Sequence, residues 1–311
     1  MNVTKKQHYV WQHYLAAWAE DKFYCYRQKD KSLFSTGTVA IANETYFYRL
    51  ERLTEVDLEY LRRLANKATA PELRNLHEGT INLFQLPFTL RDKIDKLPLR
   101  DKTRKDLELH LTNAEKTFGE SFHTFIEGSV ISNLASLRLT DCEFYREEAQ
   151  TFNFINFVAN QFFRTPTLKQ FAANMSHAIP GLDLRRTWLI ESQIYAINIA
   201  AGIFVKKRDY KFTFITNETP IPFIAGDQPI INLNAQSDNK LRLYYPLSPR
   251  LAMIFEEDTE APFRTVRSVS SIEVEHHNQQ VYMRSIDQIY SNDRDYLELL
   301  SKTPKDVLAG S

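Results

Sequence analysis

The chain carries eight glycines in 311 residues, at positions 37, 79, 119, 128, 181, 202, 226 and 310, and no two are close neighbours. Phosphate-cradling loops, dinucleotide-binding turns and the sharp turn that presents a nucleophilic serine all need clustered glycines. Only a residue without a Cβ lets backbone turn or approach a phosphate that closely. These architectures are removed from consideration, and the usual nucleotide-binding folds with them. No cofactor and no metal is expected.

Aromatic bulk takes the place of glycine. The 21 Phe and 15 Tyr each bring a large area to bury, and a chain of this length can build a sizeable core. Lys plus Arg and Asp plus Glu both total 39, so no net field draws the whole molecule toward nucleic acid or an anionic membrane, and a local basic patch stays open. Cys25 and Cys142 lack the spacing of a zinc site or a disulfide framework, which suggests a reducing compartment. Residues 1–12 have no apolar signal-peptide core. The most lipid-like run, Tyr195 to Val205, contains Asn198 and falls short of the roughly 20 residues needed to cross a bilayer. The expectation is a cytoplasmic protein with no membrane attachment.

Periodicity divides the chain. Trp11, Tyr14, Leu15 and Trp18 share one face of an opening helix over Lys5 to Ala19. Phe23 to Arg27 and Leu33 to Thr38 flank a polar turn as a hairpin, and Thr45 to Leu50 reads as a further strand, together a small β unit. Thr54 with Asp57 forms a capping-box pattern before a helix, and Pro71 restarts a second one. From Thr103 to Gly128 apolar residues recur every three or four positions, predicting a long amphipathic helix whose charged face reads as solvated. Further helices are predicted at Phe144 to Arg164 and Leu184 to Lys207. Short apolar runs from Phe212 to Phe255 predict a late antiparallel sheet, and Ser270 with Glu273 caps a helix through Arg284, before a strand at Ile286 to Tyr290 and a last helix. The fold class is α+β: a mainly helical N-terminal and central part packed on a mostly antiparallel late β-sheet, with a small N-terminal hairpin. Arg91 to Lys105 is the one linker-like stretch, and the reading is a single domain over 1–303 with a flexible tail at 304–311.

Four short segments occur in a telling order: His8-Tyr9-Val10-Trp11-Gln12-His13-Tyr14-Leu15, Gln161-Phe162-Phe163-Arg164-Thr165-Pro166, Gly226-Asp227-Gln228-Pro229-Ile230 and Pro246-Leu247-Ser248-Pro249. As an ordered set they resemble the domain of unknown function 4238 family. That family's pattern is an opening His-x-Val-Pro-Gln-x-Tyr-Leu, a central Gln-x-x-Arg-Thr-Pro, a later Ser-Asp-x-Pro-Val and a Pro-Leu-Ser-Pro. This chain departs from it with Trp11 in place of Pro and Gly226 in place of Ser. The resemblance implies a common fold and a candidate site, and no activity or cofactor.

Within these segments His8 can work as acid or base near neutral pH, or it can serve as a helix cap or core hydrogen-bonding group. Asn153, Asn156 and Asn160 fall at spacings of three and four on a helix that is otherwise largely apolar, and Arg164 continues the stripe. This polar seam is expected to face inward, with Arg164 at its open end as an anion clamp that can be removed without stranding a buried charge. A purely structural network is the competing reading, since buried amides must be hydrogen-bonded. Asp227, at a turn before Pro229, either bonds nearby backbone N–H groups or orients His8 or holds Arg164. Asp227 with Asp238 and Asn239 loosely copies a metal-dependent nuclease spacing, and Glu273 with His277 supplies only two of the three or four ligands zinc takes.

Two functional readings compete. In the first, His8, Arg164 and Asp227 are catalytic and Gln161, Asn160 and Asn156 bind substrate in a hydrolase acting on phosphate or nucleic acid without metal, with RNA or a nucleotide as partner and bacterial defence as a setting. In the second, the same residues hold together a non-catalytic binding or protein-interaction module. Oligomeric state is open. Convergence of His8, Gln161, Arg164 and Asp227 around one pocket is the geometric expectation that separates the two.

Overall fold

The computed structural model describes residues 5–19, 22–175, 179–234, 240–303 and 305, so the expected tail lies outside the described residues apart from Lys305. A short strand β1 (Lys6–His8) leads into one helical turn, α1 (Gln12–Leu15), then the hairpin β2 (Tyr24–Arg27) and β3 (Ser32–Ser35), and β4 (Asn43–Thr45). The helical part follows: α2 (Glu55–Ala65), α3 (Pro71–Asp95), α4 (Asp101–Gly128), α5 (Ile131–Arg138), α6 (Glu148–Phe163), α7 (Pro166–Met175) and α8 (Leu184–Val205). The remainder alternates β5 (Tyr210–Thr216), β6 (Ala225–Gly226), β7 (Ile231–Asn232), β8 (Arg242–Ser248), β9 (Leu251–Glu257), β10 (Arg264–Ser268), α9 (Ser271–Arg284), β11 (Gln288–Ser291) and α10 (Arg294–Ser301). The fold is α+β, and both capping boxes, Thr54 with Asp57 and Ser270 with Glu273, are formed.

A five-stranded sheet in the order β10-β5-β9-β8-β7 is the central layer. Its strands β8 and β9 are apolar on both faces because both are covered. Leu243, Tyr245, Met253 and Phe255 pack with Phe154, Phe157 and Val158 of α6, while Tyr244, Ala252 and Ile254 pack with Val274, Val281 and Tyr282 of α9. Successive residues of β8 and β9 thus serve opposite cores, as the two-residue period of a strand requires. The rings of Phe154, Phe212 and Phe255 lie 4.9–5.7 Å apart between centroids, which is the contact range of aromatic packing. α8 has the length and apolarity to cross a bilayer, and it packs as an interior helix here, with Ile190 and Ile194 against Ile81, Phe84 and Leu61.

Four expectations from sequence are corrected. The opening helix over Lys5 to Ala19 is only the short α1 with a tight turn over Ala16–Trp18, and Lys6–His8 is strand β1 paired with β4. The N-terminal hairpin does not stand alone: β2 pairs with β11, completing a four-stranded sheet in the order β3-β2-β11-β6. The predicted strand Thr45 to Leu50 stops at Thr45, because Tyr46 sits at a positive φ of 55° and the following N–H groups leave the ladder. Tyr48 N–H donates to Gln7 Oε1 at 2.7 Å and Leu50 N–H to the Glu115 carbonyl at 2.7 Å. Finally, α3 and α4 are separated only by residues 96–100, and Arg104 donates to the carbonyls of Ile94 and Leu97, so the linker-like stretch is a tied helical corner. β10, which pairs in parallel with β5, was not legible as a strand, since its solvent-edged sequence Arg-Thr-Val-Arg-Ser has almost no apolar content.

Gly119 is where the scarcity of glycine becomes structural. A Cβ there would lie 2.6 Å from the Tyr48 carbonyl oxygen and 2.7 Å from Tyr48 Cβ, so α4 touches the 46–50 segment only because position 119 has no side chain. Gly119→Ala is expected to lower stability by about 1–3 kcal/mol, since overpacking outweighs the roughly 1 kcal/mol that alanine gains in a helix. Gly79→Ala in α3, where nothing lies within 4 Å of the added Cβ, should instead raise stability by about 0.5–1 kcal/mol. Urea unfolding of the two variants checks the pair, and a gain at both positions would contradict the contact.

Candidate active site

The close contact at Gly119 brings one stripe of α4 against β1. Glu120, His123, Thr124 and Glu127 follow at helical spacings of three and four and, together with His8, Trp11, Gln12 and Arg164, line a cavity of about 590 Å³. The charged face of this helix is therefore not simply solvated at its C-terminal end. Sequence reading missed these residues because a Glu-x-x-His-Thr-x-x-Glu stripe on an amphipathic helix looks like any polar face. No sequence signal separates them, since only the docking of α4 shows which polar residues face the cavity.

Arg164 ends α6 and is 3% exposed. Its guanidinium is ion-paired with Glu127 and donates to Gln161 Oε1 at 3.1 Å, while its Nε has no hydrogen-bond partner. Burial raises Glu127 above the ordinary carboxylate range, and the Arg164 charge offsets part of that. The expected open end of the polar seam is thus closed by a buried counter-ion. Of the seam itself, Asn160 is buried and its amide donates to the Asn156 carbonyl and to Asn156 Oδ1 at 2.9 and 3.1 Å, while Asn153 and Asn156 are only half-buried. Asn156 and Asn160 spend these contacts on each other, and neither lines the cavity.

His8 is half-buried at the end of β1. His8 Nε2 lies 2.7 Å from Gln12 Nε2 and 3.3 Å from the Val39 carbonyl oxygen, and the tautomer decides whether it accepts from the first or donates to the second. Burial lowers the His8 pKa below its ordinary value, and the charge of Arg164 adds to this. Glu120 is pushed up to about 7 by burial, with Arg164 pulling the other way, Glu127 adding to the rise and the His8 backbone N–H opposing it. His123, packed at 4.5 Å on the Tyr48 ring with both ring nitrogens unpartnered, is held well below its ordinary pKa by burial and stays neutral. The cavity therefore joins a neutral base, a carboxyl that retains its proton near neutrality, and a guanidinium.

Asp227 is placed elsewhere. It is fully buried, and its two oxygens accept the backbone N–H groups of Ile286, Asp287 and Gln288 at 2.7–3.0 Å. It neither orients His8 nor holds Arg164, whose carboxylate partner is Glu127; burial raises Asp227 to about 6 against the pull of those three N–H donors. Its neighbour Gln228 does the long-range bracing: Nε2 donates to the Phe162 carbonyl at 3.0 Å and Oε1 accepts from Thr165, tying the end of α6 to the β6–β7 turn. Asp238 and Asn239 lie outside the described residues. Glu273 is engaged in the α9 cap and with Arg267, and His277 stacks on Tyr244 at 4.6 Å. Among the described residues no three His, Cys, Asp or Glu side chains gather as metal ligands.

The family model described as a protein of unknown function (DUF4238) matches residues 6–295. No curated protein and no solved structure matches the chain.

Removing Arg164 strands the Glu127 carboxylate in a buried site, so Arg164→Ala is expected to cost about 3–5 kcal/mol near pH 8. The group left behind has a folded pKa above its unfolded one, so the penalty is absent below the unfolded value and grows as pH rises through the folded value. The variant should accordingly recover stability near pH 5, and Glu127→Gln in the same chain should restore most of it near pH 8. Urea unfolding at the two pH values reads both effects. A small, pH-independent loss would return Arg164 to the role of a removable clamp.

Proposed function

Because the chain belongs to the DUF4238 family, whose description assigns no activity, its function has to be argued from the site, and we propose a hydrolase acting on a phosphate ester. The observation that carries this reading is the meeting of His8, Glu120 and Arg164 around one cavity. Burial lowers the base His8 and raises the carboxyl Glu120, so near neutrality each is held in the protonation state its role needs. His8, neutral, takes a proton from the attacking water or ribose hydroxyl. Arg164 stabilises the negative charge that builds on the phosphoryl oxygens. Glu120, still protonated, gives its proton to the departing oxygen, so the proton taken by His8 is matched by the one Glu120 releases. RNA or a nucleotide in the cytoplasm fits this chemistry, and bacterial defence is the setting we propose for it.

The Arg164–Glu127 pair favours a second reading, a non-catalytic binding or protein-interaction module, because a guanidinium already answered by a carboxylate has less charge to offer a reacting group. Both readings are tested with bis(p-nitrophenyl) phosphate and an end-labelled single-stranded RNA. Activity requires His8 deprotonated and Glu120 protonated, so kcat/KM should rise through the lowered His8 pKa and fall again above about 7 as Glu120 ionises. His8→Ala and Glu120→Gln should each reduce the rate by about 10²–10⁴-fold, and Glu120→Gln should abolish the alkaline limb. RNA retained without cleavage would favour the binding module, and turnover indifferent to both substitutions would move the site elsewhere.

A further inference from the structure

A second cavity, of about 540 Å³, lies between residues 45–51 and the first half of α8, with Arg164 also in its wall. It is richer in cations than in anions. Two of its arginines are already answered: Arg186 makes a two-bond ion pair with buried Asp57, and Arg185 pairs with Asp183. Two other cations are not. Lys169 touches only neutral groups: its ammonium is 3.4 Å from the Phe47 carbonyl oxygen and 4.3 Å from the Phe47 ring centroid. Arg49, exposed at the rim, forms no ion pair among the described residues.

A partly buried ammonium without a carboxylate partner costs folding free energy, which a bound anion would offset. Burial accordingly lowers the Lys169 pKa, against the weaker pull of Glu44 and Glu51. Arg164 contributes a further unmet donor, since its buried Nε–H has no acceptor. The cavity has the size of a small-molecule site, and Tyr46, Phe47 and Trp188 give it flat apolar walls beside the cations.

We propose that this cavity binds a phosphate-bearing small molecule of nucleotide size, with Lys169 and Arg49 as its charge contacts. The site is distinct from the His8–Glu120 cavity, and the proposal holds whether or not that cavity is catalytic.

The test is calorimetric titration of the full chain with inorganic tripolyphosphate and with ATP at physiological salt, beside thermal unfolding without ligand. Tripolyphosphate should bind, Lys169→Met should weaken it by about tenfold or more, and the same variant should melt higher than the parent because it loses an unanswered cation. ATP binding more tightly than tripolyphosphate would support the proposal and identify a nucleotide as the ligand, whereas equal affinity would support it with a polyphosphate anion. If Lys169→Met does not fold, exposed Arg49→Gln gives the same reading, with a threefold to tenfold loss supporting the site, on the order of one charged contact. Absence of binding to the parent, or unchanged affinity in the variant read, overturns the proposal.

Discussion

The buried charge of Arg164 is the constraint around which this molecule is arranged. A guanidinium taken out of water needs a counter-ion and hydrogen-bond acceptors, and only a particular docking of α4 on the end of α6 supplies Glu127 and Gln161 together. The residues that follow extend that junction. Thr165 reaches Gln228, and Pro166 opens α7. Gln228 in turn accepts and donates between α6 and the β6–β7 turn, so three helices and two sheets are referenced to one cap. The same charge acts on the neighbouring groups: it disfavours protonation of His8 and His123 and favours ionisation of Glu120. Burial is the larger cause of all three shifts, and the Arg164 charge reinforces it at the two histidines and opposes it at Glu120.

What could be read from the sequence was what is decided locally. α2, α3, α4, α6, α8, α9 and α10 announce themselves through apolar spacing and two capping boxes, and the β2–β3 hairpin through its polar turn, whereas α5 and α7 were not read. What could not be read was what a distant partner decides. Thr45 to Leu50 has strand composition, yet Gln7 and Glu115, one before it and one far after it, take the N–H groups a ladder would have used. β10 is a strand because β5 presents it with a free edge, not because Arg264 to Ser268 alternates. Of the family segments, His8 and Arg164 line one cavity with Glu127 and Gln161 bonds Arg164, while Asp227 lies apart. Glu120 and Glu127 were hidden because nothing in a helical repeat reveals which polar residue faces a cavity and which faces water.

Glycine follows the same division. Its rarity removes the glycine-rich nucleotide turns from the sequence, yet the positions that matter were set by tertiary approach. Gly119 admits the Tyr48 backbone, and a Cβ on Gly226 would lie 2.1 Å from Ser285 Oγ, a hydroxyl that would have to turn away from the Val281 carbonyl it bonds. Gly226 is also where the chain departs from the family's serine, and the space occupied by Ser285 is a physical reason for the smaller residue here.

The two buried carboxyls with raised pKa values show why titration alone does not locate a site. Asp227 and Glu120 are both displaced upward, and both for the same first reason, burial. They differ in what their oxygens are free to do. Asp227 has its lone pairs taken by three backbone N–H groups and borders no cavity described here, so its proton equilibrium serves the turn at 286–288. Glu120 Oε2 has no hydrogen-bond partner, and the residue lines a cavity that also holds a neutral imidazole and a guanidinium. A proton can be delivered only by an oxygen that has somewhere to send it. By that criterion the acid of this site is on α4, and the motif aspartate is a structural brace that holds β6 and β11 in register.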